Sequence, residues 1–162
     1  MKAIPSLVVA CLAALAMPAL AQTPTPAAGA SDAARIQKFR EQVRADPKAV
    51  VAKNLKLTDA ESKAFWPAYD ECHVKLDGAQ RRGNRAVVDY VNAGDNLTDA
   101  NAKQIAKDLL EANIDEARAL KACFDRVAKV LPGKKAARFL QIENKMRALV
   151  RFDTAAAIPL VD

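Results

Sequence analysis

The stretch Leu57-Thr58-Asp59-Ala60-Glu61 decides the fold, because its first four residues return 40 positions later in Leu97-Thr98-Asp99-Ala100-Asn101. In each copy the threonine is suited to cap a helix N-terminus, and the aspartate after it complements the positive end of the helix dipole. Glu61 stands where a capping box needs an acid, so the first copy is the stronger start signal. The repeat predicts that one helix begins at Asp59 and a second at Asp99.

A stripe of apolar residues follows each start, at the alternating steps near three and four that are typical of an amphipathic helix. The first stripe runs to about Ala93 and comprises Phe65, Tyr69, Cys72, Leu76, Ala79, Gly83, Val87 and Tyr90. The second ends at Pro132-Gly133 and comprises Ala102, Ala106, Leu109, Leu110, Ile114, Ala117, Leu120, Phe124, Val127 and Leu131. Pro67 lies inside the first helix and cannot donate to the carbonyl four residues earlier, so it predicts a bend.

The short loop at Gly94 forces these two helices into an antiparallel hairpin, about 50 Å long at 1.5 Å per residue. Weaker patterns predict a helix from Ser31 or Asp32, a short helix opened by Pro47, and a last helix from Lys134 to about Ala156. The predicted fold is all-α: an elongated, bent antiparallel hairpin with flanking N- and C-terminal helices, forming one helical domain over residues 32–162. A monomer of this shape leaves part of both stripes uncovered. Either a homodimer covers the rest, or the exposed strip is the working surface.

Residues 1–21 have the layout of a secretory signal peptide, with a charged start at Lys2, an apolar run and a small-x-small site ending at Ala21. The apolar run is shorter than the roughly 20 residues of a membrane span, so we expect no stable membrane insertion. Processing as a lipoprotein at Cys11 is the alternative, but it would cut the apolar run in half. Cleavage after Ala21 predicts a periplasmic protein, with residues 22–31 as a flexible leader poor in large apolar side chains.

Cleavage leaves two of the 3 cysteines, Cys72 and Cys123. Their separations along the chain from the loop, 21 and 25 residues, differ by 4 residues, or about 6 Å of helix height. This is close enough to predict a disulfide across the hairpin in an oxidising compartment. Two buried free thiols are the alternative, and a redox site is disfavoured because the chain has no Cys-x-x-Cys motif.

His73 is the single histidine, and Asp70 and Asp77 share its helical face at i−3 and i+4. These three side chains are weak candidates for a zinc site that would need help from a second chain. An exposed histidine in a solvated charged face is the simpler interpretation. We therefore predict no metal site.

The net charge is +6, or +5 once Lys2 is removed, and basic residues cluster in two places, which are Arg81, Arg82 and Arg85, and Lys134, Lys135 and Arg138. The second cluster opposes the dipole at a helix N-terminus, which favours a role in binding. A binding surface for acidic polypeptide segments and a merely solvated basic face are the two interpretations. No stacked aromatic residues accompany the clusters, so no nucleic acid partner is expected.

No catalytic constellation stands out in this sequence. There is 1 histidine, no glycine-rich phosphate loop and no serine in a nucleophile-elbow context. We predict that the protein is not an enzyme and needs no cofactor.

An exported, basic, all-helical chain whose long helices open with Leu-Thr-x-x-polar motifs resembles the Spy/CpxP family of periplasmic proteins, named for a recurring LTxxQ motif. The resemblance covers about residues 55–150, and Glu61 and Asn101 stand in place of the family's Gln, as in a divergent branch. It implies a cradle-shaped antiparallel dimer that binds unfolded clients without ATP on a concave, basic, partly apolar surface.

Some members of that family bind zinc or report envelope stress. The expected function is thus an ATP-independent chaperone-like or stress-related binding protein that holds unfolded or acidic polypeptide segments. A metal-responsive envelope-stress sensor and a structural envelope protein are the alternatives.

Overall fold

The computed structural model describes residues 27–160, with side chains from Ser31 onward, and this range contains five α-helices and no strand. The helices are α1 (Ala27–Ala45), α2 (Pro47–Leu55), α3 (Asp59–Ala93), α4 (Asp99–Val130) and α5 (Gly133–Ala157). The predicted all-α class is confirmed. The predicted signal peptide and the first part of the leader lie outside the described residues, whereas residues 27–31 of that leader are helical.

Both copies of the repeat begin a helix where the sequence predicts one. Thr58 Oγ1 accepts from the Glu61 backbone N–H at 3.3 Å, and the Glu61 carboxylate accepts from the Thr58 N–H at 2.8 Å, which completes a capping box. Thr98 Oγ1 accepts from the Asn101 N–H at 3.2 Å. Gly94 ends α3 with a φ of 45°, a left-handed conformation that glycine adopts without steric cost, and a 3₁₀ turn over Gly94–Asn96 leads toward α4.

The helices α3 and α4, of 35 and 32 residues, form the predicted hairpin. We call the end with the Gly94–Asn96 turn the tip and the opposite end the base. α3 continues as a helix through Pro67, and the bend expected there stays a prediction. Within residues 27–160, none of the helices carries a stretch both long and apolar enough to cross a lipid bilayer.

The last helix, α5, runs from the base toward the tip alongside the hairpin. Its contacts follow in order: Phe139 with Phe65, Glu143 with His73, Arg147 and Arg151 with Glu116, and Pro159 with Tyr90. α2 packs against the start of α5, where Arg138 donates to the Asn54 carbonyl. Farther along α5, two ion pairs at 3.0 and 2.8 Å, from Arg40 and Arg44 to Asp153, hold α1 against this helix.

The hydrophobic core lies in the base half of the molecule. Its largest fully buried side chains, Phe65 and Phe139, are both 0% exposed and meet edge to face with ring centroids 5.6 Å apart. Toward the tip the buried side chains of α3 and α4 are alanines, Ala79, Ala86 and Ala112. Small residues let the two helices approach closely, and several larger apolar side chains of this half, such as Val88, Val91 and Leu110, are exposed.

Candidate functional site

The two cysteines of the hairpin are paired across it. Cys72 on α3 and Cys123 on α4 form a disulfide with a Cα–Cα distance of 5.1 Å, and both side chains are buried in the core. The predicted pairing is therefore present. An intramolecular disulfide is compatible with an oxidising compartment.

His73 is partly buried and faces α5, so the expectation of an exposed histidine is wrong. Its Nε2 atom lies 3.3 Å from Oε1 of Glu143, and its ring stacks on Tyr69 with centroids 3.9 Å apart. The Glu143 side chain is only 4% exposed. Burial, with the negative charge of Glu143 as the next cause, raises the pKa of the Tyr69 hydroxyl far above its ordinary value.

The two other weak metal candidates do not converge on His73. Asp70 pairs with Lys48 at 2.6 Å on α2, and Asp77 is exposed. Among the described side chains, from Ser31 to Leu160, there is no group of three histidine, cysteine, aspartate or glutamate residues that could hold a metal ion. Sequence reasoning missed the buried Glu143, although its place beside Ile142 on the apolar face of α5 was a usable signal.

The first basic cluster lies in the tip half, and carboxylates of α4 face it. Arg82 binds Asp115 at 2.7 Å and also donates to the Gly78 carbonyl at 3.4 Å. Arg85 lines a shallow cleft with acidic neighbours, which are Asp89, Asp108, Glu111 and Asp115. Arg81 is exposed. Much of the positive charge of this cluster is therefore compensated within the chain.

The second basic cluster lies at the base and has structural partners. Lys135 forms an ion pair with Glu61, and this contact, followed by the bond from the Thr58 N–H, lowers the pKa of the Glu61 carboxyl. Arg138 Nε donates at 2.7 Å to the Asn54 carbonyl, which the C-terminus of α2 leaves without a helical partner. Lys134 is exposed. The cost of placing cations at this helix start is offset by Glu61, so their position does not by itself indicate binding.

The two clusters also lie far apart. Glu61, the partner of Lys135, and Arg82 are separated by 21 residues of α3, which is about 30 Å along a helix. They cannot form one continuous basic surface.

A groove between α1 and α5 combines apolar and cationic side chains. This α1–α5 groove has a volume of about 680 Å³ and is lined by Arg35, Ile36, Phe39, Asn54, Arg138, Gln141, Ile142, Lys145, Ala148 and Leu149. We call its apolar lining residues, Ile36, Phe39, Ile142, Ala148 and Leu149, the apolar floor, and Ile36 is 50% exposed. Three cations line it, although Arg35 also pairs with Asp32 on its own helix at 2.7 Å. Such a groove suits an apolar segment that carries a carboxylate.

Only Arg138 of the groove was predicted as a binding residue. Arg35 and Lys145 were missed because they lie 110 residues apart in the chain and no local pattern joins them. Ile36 and Phe39, which lie three residues apart on one face of α1, were the available signal, since Ile36 is exposed and Phe39 only partly buried.

Large apolar side chains are also exposed elsewhere on the described surface. They include Val88 and Val91 on α3, Leu109, Leu110 and Ile114 on α4, and Phe152 on α5. Leu110 is 62% exposed and Phe152 is 66% exposed. The uncovered apolar surface that the hairpin predicts is therefore present, mostly in the tip half.

Comparison of the chain with protein-family models, with curated proteins and with solved structures found no match.

Proposed function

We propose that the chain is a periplasmic binding protein of Spy/CpxP type, which holds unfolded or acidic polypeptide segments without ATP. The observation that carries the proposal is the α1–α5 groove, where an apolar floor and three cations lie within one concavity. Unfolded segments expose apolar side chains, and burying these side chains against the apolar floor of the groove would be favourable. Their acidic residues would pair with the cations of the groove, by charge-assisted bonds stronger than those between neutral groups.

The exposed apolar side chains of the tip half support the same proposal. An exposed apolar patch on a soluble protein marks a binding surface or an interface between subunits. A homodimer that covers part of this strip belongs to the proposal, and sedimentation of the purified protein tests it separately.

The discriminating assay is the suppression of aggregation of an acidic model client by the chain from Gln22 onward, in the absence of ATP. We expect light scattering by the heated client to fall as the protein approaches molar excess. No effect at molar excess contradicts the proposal and leaves the metal-responsive envelope-stress sensor and the structural envelope protein as the interpretations.

A matched pair of variants tests whether the α1–α5 groove is the site. Arg35→Glu with Lys145→Glu reverses two cations of the groove. Arg118→Glu with Lys103→Glu makes the same change in net charge at two exposed residues outside it, and Arg118, like Arg35, is paired with an aspartate three residues away. We expect the first variant to lose most of the suppression and the second to keep it. Equal activity of the two variants would place the site elsewhere.

A further inference from the structure

The segment that follows α5 leaves the helix and lies against the hairpin tip. α5 ends at Ala157, and Ile158 is extended, with φ −100° and ψ 123°. The hydroxyl of Tyr90 on α3 donates to the Pro159 carbonyl at 3.1 Å. We call Ile158, Pro159 and Leu160 the IPL segment.

The surface beneath the IPL segment is a groove between the ends of α3 and α4. This tip groove is lined by Ala86, Val87, Tyr90, Ala102, Ile105, Ala106 and Leu109. Apart from the Tyr90 hydroxyl its side chains are apolar. About 250 Å³ of space remains between the IPL segment and these walls, so the segment fills the groove incompletely.

The IPL segment makes few contacts with the hairpin. Leu160 is 92% exposed and Ile158 is partly buried, and among the residues that the structure describes the bond from Tyr90 is the polar contact that joins the segment to the hairpin. Pro159 has no backbone N–H and cannot donate a second bond. Segments with few buried contacts open locally at a small fraction of the free energy of global unfolding.

We propose that the tip groove is a docking site for short extended apolar peptide segments, and that the IPL segment occupies it as an internal competitor. The IPL segment shows the chemistry that the groove accepts, because its apolar residues line the same concavity as Ala86, Ala102 and Ala106, Ile158 is partly buried, and the Pro159 carbonyl accepts a hydrogen bond from the Tyr90 hydroxyl. A peptide from outside would make the same contacts once the segment lifts away. This proposal is independent of the α1–α5 groove and of any chaperone activity.

The test measures binding of a fluorescein-labelled peptide with the sequence of residues 155–162, by fluorescence anisotropy. Ile158→Asp with Leu160→Asp in the chain from Gln22 onward releases the internal competitor. An attached segment competes at an effective concentration near the millimolar range, so we expect the released variant to bind the peptide at least about tenfold more tightly than the unaltered chain. Adding Tyr90→Phe to the released variant should weaken peptide binding about fivefold, the value of one hydrogen bond.

Two matched controls separate docking from a general effect of charge. Ala156→Asp with Ala157→Asp adds the same charge at exposed positions just before the IPL segment and should bind no better than the unaltered chain. In the released variant, Ala106→Glu, on the groove wall, should abolish binding, whereas Ala117→Glu, exposed on the same helix outside the groove, should leave it unchanged.

Equal affinity of the released and unaltered chains overturns the proposal, and so does binding that survives Ala106→Glu. If circular dichroism shows that the released variant is unfolded, deletion of residues 159–162, which removes no helical residue, makes the same comparison. Loss of aggregation suppression with peptide binding intact contradicts the proposed function alone.

Discussion

The disulfide between Cys72 and Cys123 is expected to supply a large share of the stability of the fold. It closes a loop with a sequence separation of 51 residues. In the chain-entropy model such a cross-link raises the free energy of unfolding by about 4 kcal/mol, chiefly by restricting the unfolded chain. For a chain of this size the loss of 4 kcal/mol lowers the Tm by about 14 °C. The core around the disulfide lies in the base half, where α1, α2 and α5 also pack, so loosening it affects every helix.

The measurement is urea and thermal denaturation of the oxidised chain, of the chain reduced with a phosphine, and of Cys72→Ala with Cys123→Ala. Reduction measures the effect of the cross-link alone. The double variant also loses the two buried sulfur atoms, so we expect it to be slightly less stable than the reduced chain. The reductant must leave the double variant unchanged. A fall of less than 1 kcal/mol on reduction, or two free thiols titrated in the protein purified without reductant from an oxidising compartment, would refute the reasoning.

Four further substitutions test the packing and the helix ends. In the middle of α3 a Cβ at Gly78 meets nothing closer than 3.9 Å, so Gly78→Ala should raise the free energy of unfolding by about 1 kcal/mol. Gly94→Ala should lower it by a similar amount, because φ is 45° there. Phe139→Ala should lower the free energy of unfolding by about 3–5 kcal/mol, because Phe139 is fully buried. Phe152→Ala should lower it by less than about 0.5 kcal/mol, because Phe152 is 66% exposed. Thermal and urea denaturation measure all four.

The charge of Glu61 makes part of the stability depend on pH. Its pKa in the folded chain is lowered by Lys135, so its contribution is fully present above the ordinary glutamate pKa of about 4.3 and is lost as the pH falls through the lowered value. Glu61→Gln should therefore flatten the decline of stability that sets in as the pH falls below about 5, as measured by urea denaturation. An unchanged slope would show that the contact with Lys135 is not formed in solution.

The boundaries of the hairpin helices were predictable because their signals are local. Thr58, Thr98 and Gly94 act on backbone groups within a few residues of themselves, so α3 has the predicted limits Asp59 and Ala93. The pairing of Cys72 with Cys123 was also predictable. In a hairpin with a short loop, the number of residues between each cysteine and the loop gives its height along the helix, and the two heights are similar.

The candidate sites were much less predictable. Sequence reasoning selected cations by their clustering, and the structure pairs several of them with carboxylates or a carbonyl from other helices, as with Arg82, Lys135 and Arg138. The sequence also favoured an exposed His73. Its partner Glu143 is 70 residues away in the chain, so no local pattern near His73 indicates the contact.

The sequence by itself determined that the described chain is helical, where the hairpin helices begin and end, and that they lie antiparallel. Capping, glycine conformation and apolar periodicity act over a few residues, and a short loop leaves one arrangement of two long helices. Only the tertiary structure decided which cations share a groove with Ile36, that Glu143 meets His73, and that the IPL segment covers the tip. These contacts depend on how helices remote in sequence are rotated and spaced against one another, which no single helix encodes.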